Sequence, residues 1–182
     1  MPIISGGSGG GGSAVLFNSV LGAPAATIDT GAGGVAGGHG SLTIDIYCRS
    51  VSAVVTDQVN IIFNNDSGAH YNVVRLQNSN TVVTGASSLA GTTGWFVSVP
   101  AANDTASVFG AVRVVIPNYD GGVGFAAGTM ISGSPDSTAA NTVNAAFSCS
   151  YLSTTAISRV AISLSSAANF ATGTRLLIYG SQ

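Results

Sequence analysis

The 182-residue chain carries seven Asp and five Arg but no Glu and no Lys, so only 7% of it is charged, against roughly 25% in an ordinary soluble domain. Without the two residues that usually coat helix surfaces, an amphipathic helical bundle is excluded, and five Arg at a net charge of −2 exclude a polyanion-binding surface. A 46% hydrophobic content excludes general disorder, while 65 Gly, Ser and Thr residues leave the polar surface neutral.

The chain opens with Met1-Pro2-Ile3-Ile4 and then a Gly/Ser tract over 5–13, which composition marks as a flexible arm. It has neither a positive n-region nor an apolar h-region, so it does not read as a signal peptide. No window approaches ~18 uninterrupted apolar residues, so no membrane insertion is expected. Residues 14–182 then read as a single β domain.

The first strand candidate spans 14–21, and a Gly-rich loop at 31–40 follows it. The clearest alternation comes next: Leu42, Ile44, Ile46 and Cys48 on one face, Thr43, Asp45, Tyr47 and Arg49 on the other. That period of two marks a half-buried strand. Val59, Ile61 and Phe63 repeat the pattern, and further candidates lie at 70–77, 94–99, 107–116, 144–152, 157–164 and 174–179. Asn64-Asn65-Asp66-Ser67-Gly68 and Asn118-Tyr119-Asp120-Gly121-Gly122 are turn signals, because Asn, Asp and Gly tolerate positive φ. Pro117 should end its strand, having no N–H for the ladder. The Ala-rich stretch near 135–147 reads as a loop entering a strand. Nine or ten strands with frequent turns predict an all-β, antiparallel sandwich or barrel.

Sites of chemistry are sparse. Gly6-Gly7-Ser8-Gly9-Gly10 matches a nucleophile elbow only in letters, since it sits in a Gly tract and not on a strand-to-helix turn. His39 and His70 are the only histidines, and no Ser context marks a nucleophile beside either. With no Glu, a catalytic carboxylate pair would have to come from Asp residues, most of which sit in turns. Asn64, Asn65, Asp66, Asn118 and Asp120 fall short of a spaced calcium loop, and Gly31 to Ala36 lacks the helix a phosphate cradle needs. Cys48 and Cys149 form no ligand-spaced pair and read as free thiols. No catalytic, metal or cofactor-binding residue is assigned, and no cofactor is expected. Among aromatics, Trp95 and Tyr119 are the ligand-facing candidates, although alternation at Trp95-Phe96 sends one ring inward and one outward.

Three blocks then carry a resemblance. They are Leu16 to Ala23 leading to Ile28-Asp29-Thr30-Gly31; Phe63 to Tyr71 with Arg75-Leu76-Gln77; and Ile157 to Leu164 with Asn169 to Gly180. Together they resemble small virion structural proteins of tailed bacteriophages, of the tail-fibre and head-accessory (decoration) type, over roughly 14–180. Thr174 departs from the Ser more often expected there. The resemblance implies a jelly-roll-like sandwich displayed on a virion and commonly trimeric, and it carries over no catalytic residue.

The expected function is therefore that of a non-enzymatic accessory subunit on the particle surface, either capsid decoration or a tail or fibre component. The arm 1–13 would dock on other virion proteins through Ile3 and Ile4, with Gly6, Gly7, Gly9 and Gly10 permitting close approach. Low charge with an apolar excess predicts homo-oligomers. The alternative is a receptor- or glycan-binding module contacting a host cell surface through loops at 31–40, 85–94 and 118–137.

Overall fold

A computed structural model describes residues 12–79, 82–120, 124–135 and 143–182. The arm residues Ile3, Ile4, Gly6, Gly7, Gly9 and Gly10 lie outside the described residues. The described chain contains no helix and twelve strands. They are β1 (Ala14–Val20), β2 (Thr27–Asp29), β3 (Ser41–Cys48), β4 (Thr56–Phe63), β5 (Tyr71–Ser79) and β6 (Val82–Thr92), followed by β7 (Trp95–Pro100), β8 (Gly110–Pro117), β9 (Ala126–Ser134), β10 (Val143–Tyr151), β11 (Val160–Leu164) and β12 (Arg175–Ser181).

These strands form an antiparallel β-sandwich. One sheet has eight strands in the order β1-β12-β3-β8-β9-β10-β5-β6, and the other has four in the order β2-β11-β4-β7. With the hairpins β5–β6 and β9–β10 set aside, two four-stranded sheets remain, β1-β12-β3-β8 and β2-β11-β4-β7. The chain changes sheet at every step between these eight strands except β4 to β7. That is jelly-roll topology. The two hairpins add four strands to one side of the larger sheet.

Alternation decides what lies between the sheets. Leu42, Ile44, Ile46 and Cys48 of β3 are buried, as their period of two predicts, and they meet Val59, Ile61 and Phe63 of β4 across the interface. Arg49 departs from the alternation: it was expected on the outer face but is buried, because β3 ends at Cys48 and the chain turns inward there. Phe63, Tyr71, Trp95 and Tyr151 form an aromatic cluster. Phe63 meets Trp95 edge-on at 4.8 Å between centroids, and Tyr71 stacks on Tyr151 at 4.9 Å. Cys48 and Cys149 are free, buried thiols; burial pushes Cys149 up to about 12 and Cys48 higher still.

Three strands were not foreseen: β2, β6 and β9. The loop expected at 85–94 is largely strand, since β6 reaches Thr92, and β9 takes Ala126–Ser134 out of the loop expected at 118–137. Their small, Gly-bearing sequences carry weak β-propensity, and the ladders of neighbouring strands supply the order instead. Gly128 on β9 shows why a small residue stands there. A Cβ at this position would come within 2.9 Å of the Val115 carbonyl and 3.1 Å of the Trp95 ring. The turn chemistry was legible: Asn64, Asn65 and Asn118 adopt positive φ, and Pro117 ends β8.

Candidate interaction surface

Neither aromatic expected to face a ligand does so. Trp95 is wholly buried, and its indole N–H donates to the Ser150 carbonyl at 3.1 Å. Tyr119 is buried too, and its hydroxyl donates to the Ala36 carbonyl. Together with Asp120, whose carboxylate accepts the Gly38 N–H at 2.5 Å, Tyr119 pins the 31–40 loop to the domain. Rings this large contribute more to the core than to solvent, and each carries a polar atom that finds a buried partner. The outward ring of the Trp95-Phe96 pair is Phe96, with the Arg75 guanidinium 5.9 Å from its centroid.

The polar clusters have structural partners. His70 Nδ1 lies 2.7 Å from Asp66, which also accepts the Gly68 N–H at 2.9 Å and the Tyr151 hydroxyl at 3.1 Å. Among the described residues, no hydroxyl or thiol hydrogen-bonds His70. Asn64, weighed as a calcium ligand, spends its amide on turn closure: it donates to the Ala156 carbonyl and accepts the Ser158 and Arg159 N–H groups. Asp57 is buried, pairs with no cation among the described residues, and accepts hydroxyls from Ser50 (2.7 Å) and Ser166 (2.6 Å) and the Gln58 N–H (2.8 Å).

These contacts set the acid response. Burial would raise the Asp57 and Asp66 pKa values, but the donors around each outweigh it, and both carboxyls stay below the ordinary range. Asp29 is lowered as well, chiefly by its hydrogen bonds from Arg159. A carboxyl depressed in the folded state stabilises the fold above its unfolded pKa of roughly 3.9, and that contribution disappears as pH falls through the folded value. The urea midpoint should therefore drop below about pH 4, with a smaller drop in Asp57→Asn. A midpoint unchanged down to about pH 2 would refute this reading.

The larger sheet presents its outer face to solvent, and the ladder registers fix which side chains stand beside one another there. One row across it reads Leu177, Asp45, Arg113, Ile131, Ala146, Leu76 and Gly85, from β12 to β6. Over β9, β10, β5 and β6 this face carries no charged side chain among the described residues. Leu76 and Ile131 are 59% and 58% exposed, and Val74 and Val83 stand near them among Ala, Gly, Ser and Thr. Among the described residues, nothing covers this apolar stretch.

The other half of the face is chemically different. The next row runs Arg175, Tyr47, Ala111, Gly133 and Asn144 on β12, β3, β8, β9 and β10. Ala111 and Gly133 have almost no side chain, so the sheet sinks between Tyr47 and Asn144 into a groove of about 600 Å³. Its rim holds the Asp45–Arg113 pair, joined by two hydrogen bonds of 2.7 Å. That pairing raises the Arg113 pKa further. Tyr47 stacks nearly flat on Phe109 at 4.8 Å, so one ring face is covered while the residue stays 49% exposed.

No protein-family model, no curated protein and no solved structure matches the chain. Function is accordingly read from these two surfaces and the topology that carries them.

Proposed function

We propose that the chain is a non-enzymatic structural protein of a tailed-bacteriophage virion, an accessory subunit on the particle surface that decorates the capsid or forms part of a tail or fibre. It assembles as a homo-oligomer, with a trimer favoured, and docks on other virion proteins through the arm 1–13. The observation that carries this reading is the apolar half of the outer sheet face around Val74, Leu76, Val83 and Ile131, which no described residue covers. Monomeric soluble proteins rarely leave such a patch in water, and one edged by polar residues marks an association surface. The jelly roll agrees, as a fold that recurs in viral shell proteins, but it also hosts lectins, so topology alone is only analogy. The low charge supports packing against copies of itself, because little like-charge repulsion opposes contact.

Sedimentation at micromolar concentration should give an oligomer, and the double variant Leu76→Asp, Ile131→Asp should sediment as a folded monomer. Wild-type protein that sediments only as a monomer would overturn the assembly reading. A second reading, a receptor- or glycan-binding module on the same kind of particle, draws its support from the groove between Tyr47 and Asn144.

A further inference from the structure

The chain has five arginines and no lysine, so each cation can be followed to its partner. Arg49 is buried against backbone carbonyls, and Arg113 and Arg159 pair with Asp45 and Asp29. Arg75 lies over the Phe96 ring. Arg175 differs from all four. Its Nε donates to the Asn18 amide oxygen at 3.2 Å, and its two terminal nitrogens have no partner among the described residues. Arg175 lines the groove, directly opposite Tyr47 in the β12–β3 ladder.

We propose that this groove is a binding site for a saccharide bearing a carboxylate, a uronic or sialic acid type of sugar, with the acid on Arg175 and the sugar ring on Tyr47. Four features converge on that class. The free end of the Arg175 fork matches a carboxylate, which takes two parallel N–H donors. The Tyr47 ring is held in place by Phe109 on one side and can offer its other side to the C–H face of a pyranose. Asn144 on the far wall presents an amide, both donor and acceptor, as hydroxyls require. The Asp45–Arg113 pair on the rim offers an acceptor beside a donor, the pattern a vicinal diol needs.

Charge arithmetic favours one acidic group over a phosphate. Two guanidiniums and one carboxylate leave a single net positive charge in the groove. The site has about the volume of a small-ligand pocket, shallow and with a few convergent polar groups around an apolar floor. The inference is independent of where the protein sits on a particle, and its contacts with the sugar, Arg175 and Tyr47, lie outside the apolar patch, although Ile131 borders both surfaces.

The test is titration of the full chain, followed by ligand-observed NMR, with methyl glucuronoside and N-acetylneuraminic acid as acidic probes and methyl glucoside as the neutral probe. An acidic probe should bind in the millimolar range, and the neutral one roughly tenfold or more weakly, the size of effect expected from a charge-assisted pair. Arg175→Gln should bring acidic and neutral probes to the same affinity, and Tyr47→Ala should weaken both. Arg175 is exposed, so the Arg175→Gln midpoint should match wild type, while Tyr47→Ala gives up its stack on Phe109 and should fall by only a few degrees, far from unfolding, which separates lost binding from lost folding. Equal binding of acidic and neutral sugars, binding unaltered in Arg175→Gln, or no binding of any of these sugars would each overturn the proposal. So would tight capture of acetate or a short peptide carboxylate with no gain from the sugar ring. Failure here would leave the sedimentation result untouched, and a monomeric protein would leave this titration untouched.

Discussion

Trp95→Ala should cost about 3–5 kcal/mol of stability, the usual loss for an aromatic removed from a packed core, and lower the thermal midpoint by roughly 10 °C for a domain of this size. The indole is wholly buried, meets Phe63 edge-on, and closes a hydrogen bond to the Ser150 carbonyl on β10. It therefore joins strands of both sheets: β7 carries it, β4 supplies Phe63, and β9 makes room for it at Gly128. Truncation would leave a cavity on rigid strands and an unpaired carbonyl. Trp95→Phe keeps most of the apolar volume and should lose less. Thermal unfolding followed by circular dichroism reads both variants, and an alanine variant within about 2 °C of wild type would show that the site collapses freely. Because Trp95 is the single tryptophan, its fluorescence in the native protein should be that of a dry indole and shift to the red on unfolding.

Residue pairs such as Trp95 and Phe96 show what sequence can and cannot decide. Alternation states that neighbours point to opposite faces, but parity has no sign: it does not say which neighbour enters the core. The sign comes from the partner surface. Gly94 lets the chain pass close to β4, where a Cβ would sit 2.9 Å from the Ile61 carbonyl, and the turn that this permits sends the larger ring inward. Strands with a clean apolar face, such as β3 and β4, were legible because burial is written in their own residues. β6 and β9 were not, because Gly, Ala, Ser and Thr carry little preference and the order comes from neighbours.

The outer-face groove was hidden for a related reason. Asp45 and Tyr47 could be placed on an outward face from alternation alone. Their companions Arg113, Gly133, Asn144 and Arg175 come from four other strands, and only the ladder registers bring them into two adjacent rows. Register between distant strands depends on turn geometry and on the shared core, and neither is local to any one segment. The apolar patch has the same origin: Leu76 and Ile131 are 55 positions apart in sequence yet stand on either side of Ala146.

Arg49→Met should be among the more destabilising single changes, at about 2–3 kcal/mol, although it swaps a charge for an apolar chain of similar length. The guanidinium is buried, and its hydrogen bonds run to backbone carbonyls. Nη1 donates to the Thr105 and Val108 carbonyls at 2.7 and 2.8 Å, and Nη2 donates to the Ala102 and Asp104 carbonyls at 3.3 and 3.0 Å. The segment between β7 and β8 thus folds around one planar cation, with Ser107 held at a φ of 65°. Methionine would leave the Asp104 carbonyl buried without this donor and the part-buried Ala102, Thr105 and Val108 carbonyls to water, and an unsatisfied buried polar group costs more than its hydrogen bond contributed. Arg49→Lys should recover only part of the loss, because a compact ammonium cannot span carbonyls arranged around a flat fork. Urea unfolding measures the deficit, and limited proteolysis locates it: cleavage should appear first within 102–108. If Arg49→Met stays within about 1 kcal/mol of wild type, the carbonyls must be finding other donors, and the loop does not depend on the cation. The same geometry explains why alternation misplaced this residue. A charged side chain one step past Cys48 would continue the outer face only if the strand continued, and the strand ends where four carbonyls offer the guanidinium more than water does.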